Sequence, residues 1–194
     1  MNSELIRNDF PILKTKVGGH QIVYFDNAAT TQRPLPVANA VLDYTTHENG
    51  NPHRGAHIFA ISASEAYDTS KEVVRDFIHA RSEKEIIYTR NTSESLNLVA
   101  RSYGETHLKA GDHILITIAE HHSNLVTWQR VAQKTGATLD YIYVDKETGH
   151  FPEEELKKID DPRVKLFAFA EVSNVLGIDF DPEQRPHFGG QRNR

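Results

Sequence analysis

His113-Ile114-Leu115-Ile116-Thr117-Ile118 is a short run dominated by Ile and Leu, followed at once by the polar stretch Ala119-Glu120-His121-His122-Ser123-Asn124. From residue 125 to 134 the apolar spacing turns helical and stops at Gly136, and residues 138–144 form a second apolar run. Strand, helix, strand in about thirty residues is a βαβ unit, which requires parallel pairing. The pattern extends in both directions. Residues 85–89 (Glu85-Ile86-Ile87-Tyr88-Thr89) read as a strand, and residues 93–106 as a helix carrying Leu96, Leu98, Val99 and Tyr103. After Pro152 comes a short helix, and residues 164–170 form a fourth strand. The expected fold class is α/β, with a mostly parallel sheet flanked by helices and right-handed crossovers.

Before this series, Pro34 opens a helix with Val37, Ala40, Val41 and Tyr44 on one face. Asn49-Gly50-Asn51-Pro52 breaks the pattern. Residues 56–80 are again helical, with Ala63, Ala66, Tyr67, Val73, Val74, Phe77 and Ile78 expected inward. The expected organisation is an N-terminal arm and helix over residues 1–50, a partial large domain over 51–180, and a disordered tail over 181–194. That tail has two prolines, two glycines and almost no apolar periodicity.

The chain has 194 residues, 22 Lys plus Arg against 27 Asp plus Glu, a formal charge of −5, and no cysteine. A mildly acidic chain without a basic tract is a poor nucleic-acid partner. No run of about 18 apolar residues suggests a membrane span and no targeting segment is visible, so the expectation is a cytoplasmic protein. The missing thiols exclude disulfides and cysteine nucleophiles from the chemistry of this chain alone.

In open parallel sheets, ligands bind beyond the carboxyl ends of the strands. Thr92 and Ser93 sit there at the start of a helix, where free amides and the positive dipole end suit an anion. The same residues also read as an ordinary cap, with Asn91 accepting and Glu94 reaching back. His121 and His122 are adjacent, so they form no metal face. One imidazole could stack on a flat ligand or shuttle a proton, or the pair is simply exposed. His53 and His57 are four apart, but Gly55 and Pro52 weaken a helix there and no Glu follows His53, so a zinc-protease site is not expected. Asn174, after the fourth strand, reads as a turn residue. No metal site is expected. Together these signals favour a small-molecule site with an anionic group.

Five segments then carry a resemblance: residues 24–31 (Tyr24-Phe25-Asp26-Asn27-Ala28-Ala29-Thr30-Thr31), His53-Arg54-Gly55-Ala56-His57, residues 92–99, Glu120-His121-His122-Ser123-Asn124, and Val172-Ser173-Asn174-Val175-Leu176-Gly177. In order and interval they resemble the class V aminotransferase family and, within it, the SufS-like cysteine desulfurases, as far as about Phe180. The resemblance implies the large domain of a fold type I transferase dependent on pyridoxal 5'-phosphate (PLP), cut after about four strands. It implies removal of sulfur from L-cysteine to give L-alanine, with transfer to an acceptor protein of Fe–S cluster assembly, by a homodimer. Thr92 and Ser93 match the cofactor-phosphate position. His121 matches the ring-stacking imidazole, a candidate for proton transfer, and Asn174 the residue near the ring hydroxyl and the substrate carboxylate. Ala28 and Ala29 match a substrate-pocket loop. His53 and Arg54 match the entrance near the partner subunit, and His57 is expected only to pack. The family's acid, Schiff-base lysine, mobile-loop cysteine and carboxylate-binding arginine fall beyond the matched segments. The expectation is therefore an N-terminal portion, inactive alone. A non-catalytic fragment and another family member, such as a selenocysteine lyase or an amino-acid epimerase, stay open.

Overall fold

The computed structural model describes residues 3–177. The expected disordered tail, residues 181–194, lies outside them. The described residues divide into two compact units, which meet between Tyr88 and Thr89 along the chain.

The first unit begins with α1 (Ser3–Asn8), a tight turn at Pro11–Lys14, and a two-residue antiparallel ribbon, β1 (Lys16–Val17) with β2 (His20–Gln21). Gly18 and Gly19 both have positive φ, which the two-residue hairpin turn requires. Next, α2 (Leu35–Asp43) follows Pro34 directly, and its last turn widens over Tyr44–Glu48. The long helix α3 (Ile58–Phe77) starts where His57 accepts a hydrogen bond from the Ala60 amide through Nδ1 at 3.3 Å. His57 is thus a cap, exposed to solvent, and not the packed side chain expected. A cap falls to it because the residue before a helix must supply an acceptor for otherwise orphaned amides.

Two further expectations fail in this unit. Within α3 only Ala60 and Ala63 are buried, while Tyr67, Val73 and Phe77 are exposed, Phe77 to 85%. Periodicity identifies the apolar face of a helix but not whether anything covers it. Residues 85–89 also form no strand: Glu83–Glu85 is a 3₁₀ turn capped by Ser82, and residues 86–89 pair with nothing in a sheet. An apolar extended run becomes a strand only when a partner ladder takes up its amides and carbonyls.

The second unit is the βαβ core. Helix α4 (Thr92–Val99) continues through wider turns at Ala100–Gly104 into α5 (Glu105–His107). β3 (His113–Thr117), α6 (His122–Thr135) and β4 (Thr138–Ile142) follow; then α7 (Glu153–Leu156), a 3₁₀ turn at Lys157–Asp160, and β5 (Val164–Ala168). The sheet has the order β4-β3-β5, all parallel, so it holds three strands among the described residues and not four. The α/β class stands.

Central β3 is buried on both faces, with Ile114, Leu115 and Ile116 at 0% exposure. Ile114 and Ile116 pack with Ala100, Leu108, Trp128, Val131 and Ala137 on the side of α6. Leu115 packs with Ala119, Ile142 and Phe151 on the other side. Helix α6 ends at Gly136, whose φ of +75° is the left-handed conformation that a C-terminal cap demands. No helix of the described residues is long and apolar enough to cross a membrane.

Candidate active site

The polar stretch after β3 is organised by one carboxylate. Glu120 Oε1 accepts from the Thr117 hydroxyl at 2.5 Å and from the Ala170 amide at 3.0 Å, and Oε2 accepts from Asn124 Nδ2 at 2.6 Å. Asn124 Oδ1 in turn accepts from the Trp128 indole at 2.7 Å. Glu120, just before α6, and Asn124 and Trp128, four apart on one face of that helix, therefore form a column.

His121 stands between Glu120 and the first turn of α6. It caps the helix, its Nδ1 accepting from the Ser123 amide at 3.1 Å. An amide can only donate, so Nδ1 is the acceptor and the proton of the neutral ring sits on Nε2. The ring is exposed, and His122 meets it edge-on with centroids 6.2 Å apart. As expected from their adjacency, the two imidazoles do not share a direction.

Beyond β5 the chain turns at Ser173. Its buried hydroxyl donates to the Ala119 carbonyl at 3.2 Å and accepts from the amides of Val175 and Leu176 at 3.2 and 3.1 Å. This turn holds Asn174 exposed, and Gly177 closes it with φ of +68° and a backbone N–H that donates to the Ser173 carbonyl at 3.0 Å.

At the start of α4, Asn91 Oδ1 accepts from the Glu94 amide at 3.0 Å, and Glu94 reaches back to the Arg90 amide at 2.7 Å. The Arg90 guanidinium and amide together hold the Glu94 carboxyl below its ordinary range. The cap expected from the sequence is therefore made. It uses the third amide of the helix and leaves those of Thr92 and Ser93, the first two, without a hydrogen-bond partner among the described residues. Both residues are exposed and both bring hydroxyls. Capping and anion binding are thus compatible here, because they use different donors. Asn97 Nδ2 joins α4 to α6 through the Thr127 hydroxyl at 3.3 Å.

The second unit accordingly carries Thr92, Ser93, His121 and Asn174, the last two after the carboxyl ends of neighbouring strands β3 and β5. The other four candidates belong to the first unit. Ala28 and Ala29 lie in an exposed turn in which the amides of Ala29 and Thr30 both bond to the Asp26 carbonyl at 3.2 Å, and Tyr24 donates to the Thr30 carbonyl at 2.6 Å. His53 has a φ of +59°, Nε2 lies 3.3 Å from Asp68 Oδ1, and its ring meets Tyr67 edge-on. Arg54 is exposed, its amide bonded to the Asn51 carbonyl. Among the described residues no group of three or more His, Asp or Glu side chains could hold a metal.

Sequence reading missed Glu120 and Ser173 as site components. The i, i+4, i+8 column of Glu120, Asn124 and Trp128 was a usable signal for the first. Nothing local marks Ser173, whose partner carbonyl is 54 residues away.

A family model described as aminotransferase class-V matches residues 23–186. A probable cysteine desulfurase of a Synechocystis species is 47% identical over 172 residues, which are 89% of this chain and 41% of that protein. One from Halalkalibacterium halodurans is 46% identical over 91% of this chain and 43% of its own length. Among solved structures, the apo cysteine desulfurase of Thermococcus onnurineus NA1 superposes with a TM-score of 0.81 at 39% identity, covering 93% of this chain and 43% of that one. The chain thus spans about two fifths of the length of these relatives. With these matches running through both units and through every candidate site segment, the chain belongs to the class-V aminotransferase family.

Proposed function

We propose that this chain is the phosphate- and ring-holding portion of a PLP-dependent cysteine desulfurase that acts on L-cysteine. The observation that carries the reading is the layout of the second unit: two unengaged amides with two hydroxyls at the start of α4, and His121 and Asn174 after the ends of adjacent parallel strands. That donor set fits a phosphate ester, since a helix N-terminus offers outward N–H groups and a positive dipole end. An exposed imidazole fits the face of a planar heterocycle. The likeness to cysteine desulfurases supports the same reading.

Thr92 and Ser93 would hold the phosphate by amide and hydroxyl. His121 would lie on the ring, with the Nε2 proton free to move because Nδ1 is committed to the Ser123 amide. Asn174 would serve the ring hydroxyl and the substrate carboxylate, and Ala28 and Ala29 would line the substrate pocket. His53 and Arg54 would stand at the entrance, near the partner subunit of a homodimer. When bound, the cofactor supplies an electron sink for bond cleavage next to the amino-acid nitrogen. The chain has no cysteine, so the thiol that takes the sulfur has to come from outside it. Transfer to an acceptor protein of Fe–S cluster assembly in the cytoplasm completes the proposal.

The test is titration with PLP and, separately, with pyridoxal lacking the phosphate, read by absorbance and by quenching of Trp128. The phosphorylated form should bind more tightly, and Thr92→Ala combined with Ser93→Ala should weaken it by about tenfold, the scale of charge-assisted hydrogen bonds. Cysteine added to the chain alone should release no sulfide above a protein-free control. Equal binding of the two vitamers, or no effect of the double substitution, would defeat the reading.

A further inference from the structure

We infer that Glu120 is a positioning residue: its carboxyl group fastens the loop carrying His121 to the segment carrying Asn174, and so sets the two relative to each other. The inference rests on the proposed function for the meaning of those two residues, but not for its geometry.

The donors around Glu120 leave it no freedom. The Trp128 indole can only donate, so it fixes the Asn124 amide with Oδ1 toward Trp128 and Nδ2 toward Glu120. The Ala170 amide can likewise only donate, and it reaches the other oxygen. Both carboxyl oxygens must accept, a requirement met by Glu and by no amide in either orientation. One residue before Glu120 and three residues after Ala170, the Ser173 hydroxyl donates to the Ala119 carbonyl. Residues 119–120 and 170–173 are therefore joined at two points just beyond the ends of β3 and β5. His121 follows the first pair and Asn174 follows the second. Parallel pairing of β3 with β5 ends at Ile116 opposite Ala168, so beyond that point these two links continue the alignment where the ladder has stopped.

The experiment compares the wild-type chain with Glu120→Gln and with the double variant Glu120→Gln/Asn124→Asp. In the double variant donor and acceptor exchange places. The introduced amide can donate to the introduced carboxylate at 124 while its oxygen still accepts from Thr117 and Ala170, and the indole still has an acceptor. The readouts are hydrogen exchange at the Ala170 amide and the side-chain NMR signals of His121 and Asn174. In Glu120→Gln the Ala170 amide should exchange at least about tenfold faster, as expected for loss of a hydrogen bond to a carboxyl group. The His121 and Asn174 signals should move together. In the double variant all three should return to wild-type values. A structural role confined to α6 would alter His121 and leave Asn174 and Ala170 unmoved, which would overturn the inference. So would a double variant that melts like the wild type yet recovers neither signal. If Glu120→Gln alone does not fold, Ser173→Ala cuts only the second link, and unchanged His121 and Asn174 signals there would also overturn it. None of these readouts uses cofactor or cysteine, so a chain that shows the rescue but takes no PLP supports this inference while defeating the proposed function.

Discussion

The Trp128 indole donates to Asn124 Oδ1 at 2.7 Å, and both side chains are buried, at 2% and 8% exposure. This bond closes a chain that starts at the Glu120 carboxylate, so Asn124 satisfies an indole and a carboxylate at once. Replacing it with Ala leaves a buried donor without an acceptor and removes one donor from the carboxylate. Each such loss costs about 1–3 kcal/mol, so Asn124→Ala should lose about 2–6 kcal/mol. Trp128 is the only tryptophan, and its fluorescence through a urea titration reads the loss directly. A shift below about 0.5 kcal/mol, the scale of an inert surface change, would show that the chain of bonds does not act in solution.

Central β3 makes a second prediction. Ile116 is at 0% exposure and packs against Trp128 and Val131, whereas Val172 is 62% exposed. Truncating a fully buried Ile loses its transfer free energy and leaves a cavity, about 2–5 kcal/mol for Ile116→Ala. Val172→Ala should stay within about 0.5 kcal/mol. Urea midpoints of the two variants decide it, and similar costs would mean that β3 is not the core.

What the sequence made legible divides along the same line. The Ile114, Leu115 and Ile116 run, the helix stopping at Gly136 and the strand after it are local signals, and local physics is enough to place them. Residues 85–89 look alike locally, but whether they join a sheet depends on a partner elsewhere; Ile86 is buried, Ile87 is 68% exposed, and no ladder forms. The apolar face of α3 is a similar case, visible as a pattern while Phe77 remains exposed. At the site, position along the chain left Thr92, Ser93, His121 and Asn174 with ordinary cap, loop and turn readings beside a binding one, and it was the resemblance of whole segments that singled them out. The spacing of Glu120, Asn124 and Trp128 hints at the first half of the network, but the link from Glu120 to Ala170 depends on an amide 50 residues later and could not be read locally.

Gly136 makes a third prediction. Its φ of +75° ends α6, and a Cβ there would lie 3.3 Å from the Ala110 Cβ. A non-glycine residue in the left-handed region costs about 1–2 kcal/mol, and the tight contact adds to it. Gly136→Ala should therefore destabilise by about 1–2 kcal/mol, and Gly136→Asn by less, because Asn tolerates this conformation. Thermal melts of the two variants give the order. Gly136→Ala at or above wild-type stability would contradict the left-handed cap.

Glu94 supplies a pH dependence whose sign follows from its partners. The Arg90 guanidinium, and then the Arg90 amide, hold the carboxyl below its ordinary range in the folded chain. A group with a lowered folded pKa binds its proton more readily when unfolded, so its stabilisation is fully present above the unfolded value of about 4.3 and is lost as pH falls through the lowered folded value. The side chain is exposed and the effect is correspondingly modest and screened by salt. Glu94→Gln keeps the shape and removes the titration. The difference in melting temperature between wild type and Glu94→Gln should be constant from about pH 7 to about pH 5 and shrink below about pH 4. It should also be smaller in 1 M salt, where the Debye length is only about 3 Å. A difference that grows on acidification would reverse the sign and remove the Arg90–Glu94 pair from the start of α4, leaving Asn91 as the cap by itself.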